Sequence, residues 1–155
     1  MIEEDYVSFE TAKLLKEKGF DEITFTWYTG KGKFCVGKNN FDDYHMNHFS
    51  SFAITEKDKN KCSAPTLQQA RKWIKENYKR HIEVRITNHS ISDMVNVIKY
   101  YWIIFDAETA RWMDESTIYK TDGFDTEEQA YENALRHILE NIENYDENNE
   151  RKKRD

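Results

Sequence analysis

The sequence predicts an α+β fold in which a mainly antiparallel sheet of four to six strands carries three helices, at about 9–19, 66–77 and 126–143. Three observations lead to this expectation. Three segments open on a capping residue and continue with apolar positions at helical spacing. Several short segments between them alternate apolar with polar residues, the period of a half-covered strand. One run, IKYYWIIFDA at 98–107, is apolar for most of its length, as a central strand covered on both faces should be.

The first helix is written in SFETAKLLKEKGF. Ser8 is its expected N-cap, because a hydroxyl there accepts a free first-turn N–H. Gly19 supplies the left-handed stop, and Phe20 can fold back on the last turn. The second helix, TLQQARKWIKENY, has Thr66 and Gln69 at capping-box spacing, with Pro65 just ahead of it, where no donor is lost. Asn77 and Tyr78 repeat the pattern of stop then aromatic. The third, TEEQAYENALRHILENIENY, opens on Thr126 and Gln129, places Glu127 and Glu128 at the positive end of the helix dipole, and carries the stripe Tyr131, Leu135, Ile138, Ile142. Each helix has an alanine four residues after its cap (Ala12, Ala70, Ala130), small enough for close packing.

Strands are expected at 22–28, 33–37, 51–55, 81–87, 98–106 and 116–121, with Ile82, Val84 and Ile86 facing inward. TGKG at 29–32 lies between two of them and reads as a hairpin turn. Residues 37–49 read as a long loop anchored by Phe41, Tyr44 and Phe49. The expected core holds Ala12, Leu15, Ile23, Phe25, Leu67, Ala70, Ile74, Ile82, Val84, Ile103, Leu135, Ile138 and Ile142. With 155 residues and no internal low-complexity linker, 1–145 is expected to be one domain. The stretch 146–155, DENNERKKRD, has no apolar residue and is expected to be a disordered charged tail.

Charge narrows the function classes. The net charge of -6 is spread unevenly. Residues 1–62 carry a net -2, residues 63–106 a net +3, and residues 107–155 a net -7. The acidic total argues against a general nucleic-acid or membrane binder, while the positive middle leaves a local exception. The acidic opening MIEEDYVSFE lacks the apolar run of a secretory signal, and no stretch is long and apolar enough for a transmembrane helix. A cytoplasmic protein with two reduced thiols, Cys35 and Cys62, is the expectation, and Cys35 in its strand-like FCV triplet reads as a quiet one.

Patterns that carry chemistry are sparse. HMNH sets His45 and His48 in a loop, with neither cysteine in a ligand pattern and no glutamate between them, so surface histidines are the simpler reading. The adjacent acids Asp42–Asp43 and Asp114–Glu115 point to opposite faces if extended, which makes turn residues of them rather than catalytic dyads. No GxSxG, GxGxxG or complete phosphate loop is present. No catalytic, metal-binding or cofactor-binding residue is assigned, and no cofactor is expected. The second helix does carry a basic ridge, Arg71, Lys75 and Lys79, with Lys72 beside it. Such a ridge can follow a phosphate backbone. It is also what any helix presents to water when its other face is covered, and Lys72, Glu76 and Arg80 have the spacing of ordinary surface pairs worth about 0.2–0.5 kcal/mol each. Aromatic side chains make up 14% of the chain, and any left uncovered on a strand would favour protein binding.

Taken in order, SFETAKLLKEKGFDE, SAPTLQQARKWIKENYKRHIEV and FDTEEQAYENALRHILENI resemble a group of short uncharacterised proteins of gut Bacteroidetes genomes and of their phages and integrated elements. Residues 30–62 and 88–123 fall outside the likeness. The resemblance implies a cytoplasmic accessory protein of a mobile element and supplies no catalytic residues. The expected function is therefore that of a small non-enzymatic accessory protein that binds another protein. The alternative is a nucleic-acid-binding module using Arg71, Lys72, Lys75 and Lys79, with a metal-dependent enzyme at His45 and His48 third.

Overall fold

The computed structural model describes residues 4–37, 47, 60–92, 95–116 and 123–154. Among them are three helices and six strands, all paired antiparallel, as the α+β expectation holds. The strands are shared between two three-stranded sheets, and the chain divides into two compact units, 1–70 and 71–155.

The first unit contains α1 (Phe9–Glu17), β1 (Thr26–Tyr28), β2 (Phe34–Val36) and β3 (Cys62–Ser63), with strand order β2-β1-β3. Both ends of α1 are set by local chemistry. Ser8 Oγ accepts the Thr11 N–H at 3.2 Å. Gly19 takes a φ of 92°, its N–H bonding Lys16 O while the Phe20 N–H bonds Leu15 O at 2.9 Å. That pair of bonds closes the helix, and the Phe20 ring turns into the core. Between β1 and β2 the Thr29 N–H bonds Lys33 O, and in the three-residue loop which that pair closes Gly32, at φ 80°, donates to Thr29 O.

Two core expectations fail here. Ile23 is 54% exposed and Phe25 is 64% exposed, whereas Thr24 and Thr26 are buried. Alternation is present, but with the opposite parity. Thr24 Oγ1 donates to Thr26 O and Thr26 Oγ1 to Ala64 O, so both hydroxyls enter the core satisfied. The short β3 had no sequence signal. The candidate strand 51–55 and the anchors Phe41, Tyr44 and Phe49 lie outside the described residues.

The helix α2 (Leu67–Tyr78) begins in the first unit and ends in the second. Its capping box is complete: Gln69 N–H reaches Thr66 Oγ1 at 3.1 Å and Thr66 N–H reaches Gln69 Oε1 at 2.9 Å. The helix stops at Lys79, not Asn77. Lys79 holds a left-handed φ of 55°, while Asn77 stays helical and donates from Nδ2 to Trp73 O. Arg80 is buried and its guanidinium donates to Tyr78 O, placing a cation on the carbonyl end of the helix.

The second unit adds β4 (Arg80–Ser92), β5 (Val95–Asp106), β6 (Trp112–Glu115) and α3 (Glu127–Arg154), with strand order β4-β5-β6. α3 packs on β5 and β4. Its Ala130, Ala134, Leu135, Ile138, Leu139 and Ile142 are buried, as are Ile82, Trp102 and Ile104 on the sheet. Trp102 Nε1–H donates to Asn133 Oδ1 at 2.9 Å, and its ring lies 4.9 Å from that of His137, which identifies the face under α3. Ile82, Val84 and Ile86 do share this face, but coverage fades along it. Ile82 is buried, Val84 half-buried and Ile86 62% exposed, because Ile86 sits two residue pairs farther toward the β4–β5 turn.

The last strand is at 112–115, ahead of the expected 116–121, whose residues 117–121 lie outside the described part. Where a disordered tail is expected over 146–155, the α3 backbone continues helical to Arg154.

Candidate functional site

The basic ridge is mostly committed to neighbours within the second unit. The Arg71 guanidinium carbon stands 3.7 Å from the centre of the Tyr131 ring. Lys72 Nζ is 3.8 Å from Glu76 and Lys79 Nζ is 3.9 Å from Glu108. Lys79 also lies past the helix end, so the four residues do not form one continuous row. Lys75 points to something else, a groove of about 370 Å³ that it lines with His81, Glu83, Phe105, Asp106, Ala107 and Ala110.

Strand register explains how this groove is built. His81 pairs with Phe105, and Phe105 pairs on its other side with Trp112. These residues alternate with Ile82 and Ile104, so they occupy the sheet face opposite α3. Beyond Phe105 the chain turns at Asp106, whose carboxylate accepts the Glu108 and Thr109 N–H groups at 2.9 and 2.8 Å. Those bonds, the one from Thr109 foremost, hold the Asp106 carboxyl below its ordinary range. The turn ends at Ala110, a non-glycine residue at φ 55°. The groove thus has an aromatic floor with a second aromatic ring beside it, since Trp112 is 59% exposed.

Its titratable groups are arranged for recognition more than for proton transfer. Partial burial, with Lys75 and Arg71 nearby, lowers the His81 pKa, so the imidazole is neutral at pH 7. Glu83 accepts from Arg85 Nε at 2.6 Å, and that bond lowers its pKa. Asp106 is already engaged in its turn. A general acid or base wants a pKa near the working pH and a reacting partner within reach. Neither carboxylate here has been raised toward that range.

A second constellation lies on the α3 side. His137 Nε2 is 2.7 Å from Asp114 Oδ2, and Asn141 Nδ2 donates to the His137 carbonyl. The pair ties α3 to β6 across 23 residues of sequence, which no spacing rule could reveal. Asp114 therefore has a partner on another element instead of being a simple turn acid. No sequence pattern marks this pair, and the only sequence sign of the groove is Lys75 on the ridge.

The remaining candidates are quiet or out of view. Cys62 is buried, and burial pushes its thiol up to about 11, against the smaller opposing pull of Lys16 and Lys13. It is protonated at neutral pH and a poor nucleophile. Cys35 is half-buried in β2. His45 and His48 lie outside the described residues, although Asn47 between them is buried. Asn47 donates to Phe20 O and accepts from the Ser63 N–H, both at 2.9 Å. Among the described residues no group of three or more His, Cys, Asp or Glu is placed to hold a metal ion, and no helix is long and apolar enough to cross a membrane. Compared with protein-family models, with curated proteins and with solved structures, the chain has no match.

Proposed function

We propose that this chain is a small non-enzymatic accessory protein of the cytoplasm that binds another protein through the groove beside β5. The observation that supports this most directly is Trp112, 59% exposed next to its cross-strand partner Phe105. An indole left in water beside a second ring is the kind of anchor that dominates protein interfaces. The lining carries both signs of charge, Lys75 together with Glu83 and Asp106. A mixed lining suits a protein surface, whereas a phosphate backbone favours an unbroken cationic track. The likeness to short mobile-element proteins fits an accessory role of this kind.

The nucleic-acid alternative has less to stand on, because Lys72 and Lys79 each have a carboxylate within 4 Å and Arg71 lies on Tyr131. The test compares two baits, the wild-type chain and Trp112→Ala, in affinity capture from a lysate of the native host. A species retained by the wild type and lost from the variant is expected. Equal retention on both baits would overturn the groove as the binding site.

A further inference from the structure

We infer, on the reading that this groove binds a protein, that Arg71 and Lys75 give it a carboxylate subsite, filled by an acidic side chain of the partner that stands beside an apolar one. The two acids of the groove are already matched from within the chain. Glu83 is bonded to Arg85 at 2.6 Å, and Asp106 accepts two backbone N–H groups of its own turn, with the positive field of Arg80 in addition.

The cations are not matched in the same way. Among the described residues the Lys75 ammonium makes no ion pair and no hydrogen bond, although it lines the groove together with both acids. Arg71 stands one helical turn before it on the same ridge. Its guanidinium lies 3.7 Å from the centre of the Tyr131 ring, and its Nε is buried with no acceptor. Leaving a buried donor unpaired is costly, so a site that keeps one is short of an acceptor. A planar fork held against a ring is also preorganised for a carboxylate. Arg71 and Lys75 both act on His81, whose ring lines the groove and, being neutral, has one N–H to donate. The charged side chains that act on His81, Glu83 and Asp106 are then Arg71, Lys75, Arg80 and Arg85, against only the two acids. An occupant that completes this balance is an anion, and one that also covers Phe105, Ala107 and Ala110 has an apolar part. An acidic residue next to an aromatic one supplies both.

Peptide titrations followed through the His81 ring protons test this, with His81→Asn assigning the signals. Acetyl-Phe-Glu-amide should bind the full chain about tenfold tighter than acetyl-Phe-Gln-amide, because a charge-assisted bond replaces a neutral one. In the double variant Arg71→Gln, Lys75→Gln the two peptides should bind alike, at the affinity of the wild type for the Gln peptide, which also shows that the groove is intact. If the double variant binds neither, Lys75→Gln alone decides, since its side chain is exposed and the preference must fall there too. Equal affinity of the wild type for both peptides would overturn the inference, as would a preference that survives the substitutions or no shift at His81. Tighter binding of acetyl-Phe-Gln with a free C-terminal carboxylate would give the subsite to a chain end and overturn the side-chain assignment. Lysate capture separates this from the reading beneath it. A partner held equally by Trp112→Ala removes that reading, whereas one lost from Trp112→Ala but held in full by Lys75→Gln removes the carboxylate subsite alone.

Discussion

The two units solve the same problem by different means. In the first, the strands are two or three residues long and offer little ladder. Side chains supply the missing connections: Thr26 reaches Ala64, Tyr28 reaches Val7, Lys16 reaches Lys61, and Asn47 spans Phe20 and Ser63. In the second, a hairpin of 13 and 12 residues forms one long ladder, and a helix lies on the apolar part of it. Specific polar ties therefore supplement a small core around Leu15 and Phe20 in the first unit, and buried area against a long helix holds the second. A mutation should be felt according to which of these it removes.

The largest effect is expected from Trp102→Ala. The change empties a large site under α3 and removes the bond to Asn133, and losses of this kind run to about 3–5 kcal/mol. Hydrogen exchange should show the loss among amides of 80–106, with α1 little changed. Equal loss of protection in both units would break the comparison by showing that they unfold together. Next in size is Asn47→Ala, which removes almost no apolar area but takes the partner from a buried N–H at Ser63. A loss of about 1–3 kcal/mol is expected in chemical denaturation. Stability within experimental error of the wild type would show that the side-chain ties are incidental.

The smallest effect concerns pH. The folded His81 pKa lies below its ordinary value of 6.5, through burial first and then Lys75 and Arg71. Above pH 6.5 the ring is neutral in both the folded and unfolded chain and contributes no pH dependence. As pH falls below 6.5 the unfolded chain takes up the proton first, so stability is lost from about pH 6.5 down to the folded pKa, where the loss is complete. Thermal melts of His81→Asn and the wild type should run parallel above pH 7 and diverge below 6.5, the wild type falling faster. Curves that stay parallel throughout would place His81 in water and remove it from the groove.

Much of the local architecture was legible. Ser8, Thr66 and Thr126 cap their helices, and Gly19 and Gly32 take the positive φ that their positions required. The alanines four residues past each cap are fully buried. The site was far less legible. Lys75 stands out in the sequence as part of a ridge, yet its neighbours His81, Phe105 and Asp106 come together only through strand register. Apolarity misled at Ile23 and Phe25, because burial there went to two threonines whose hydroxyls had found carbonyl partners.

By itself, then, the sequence determined the α+β class, the three helix starts, the β1–β2 turn and the stop after α1. Each of these depends on groups within about four residues of one another, where backbone geometry leaves few choices. Only the tertiary structure decided that the strands form two sheets, which parity of 23–26 faces inward, that Asp114 meets His137, and that Lys75, His81 and Phe105 line one groove. Those outcomes depend on partners tens of residues away, such as Ala64 for Thr26 and His137 for Asp114. The free energy of each such contact exists only after the chain has closed the intervening loop, so no local pattern records it.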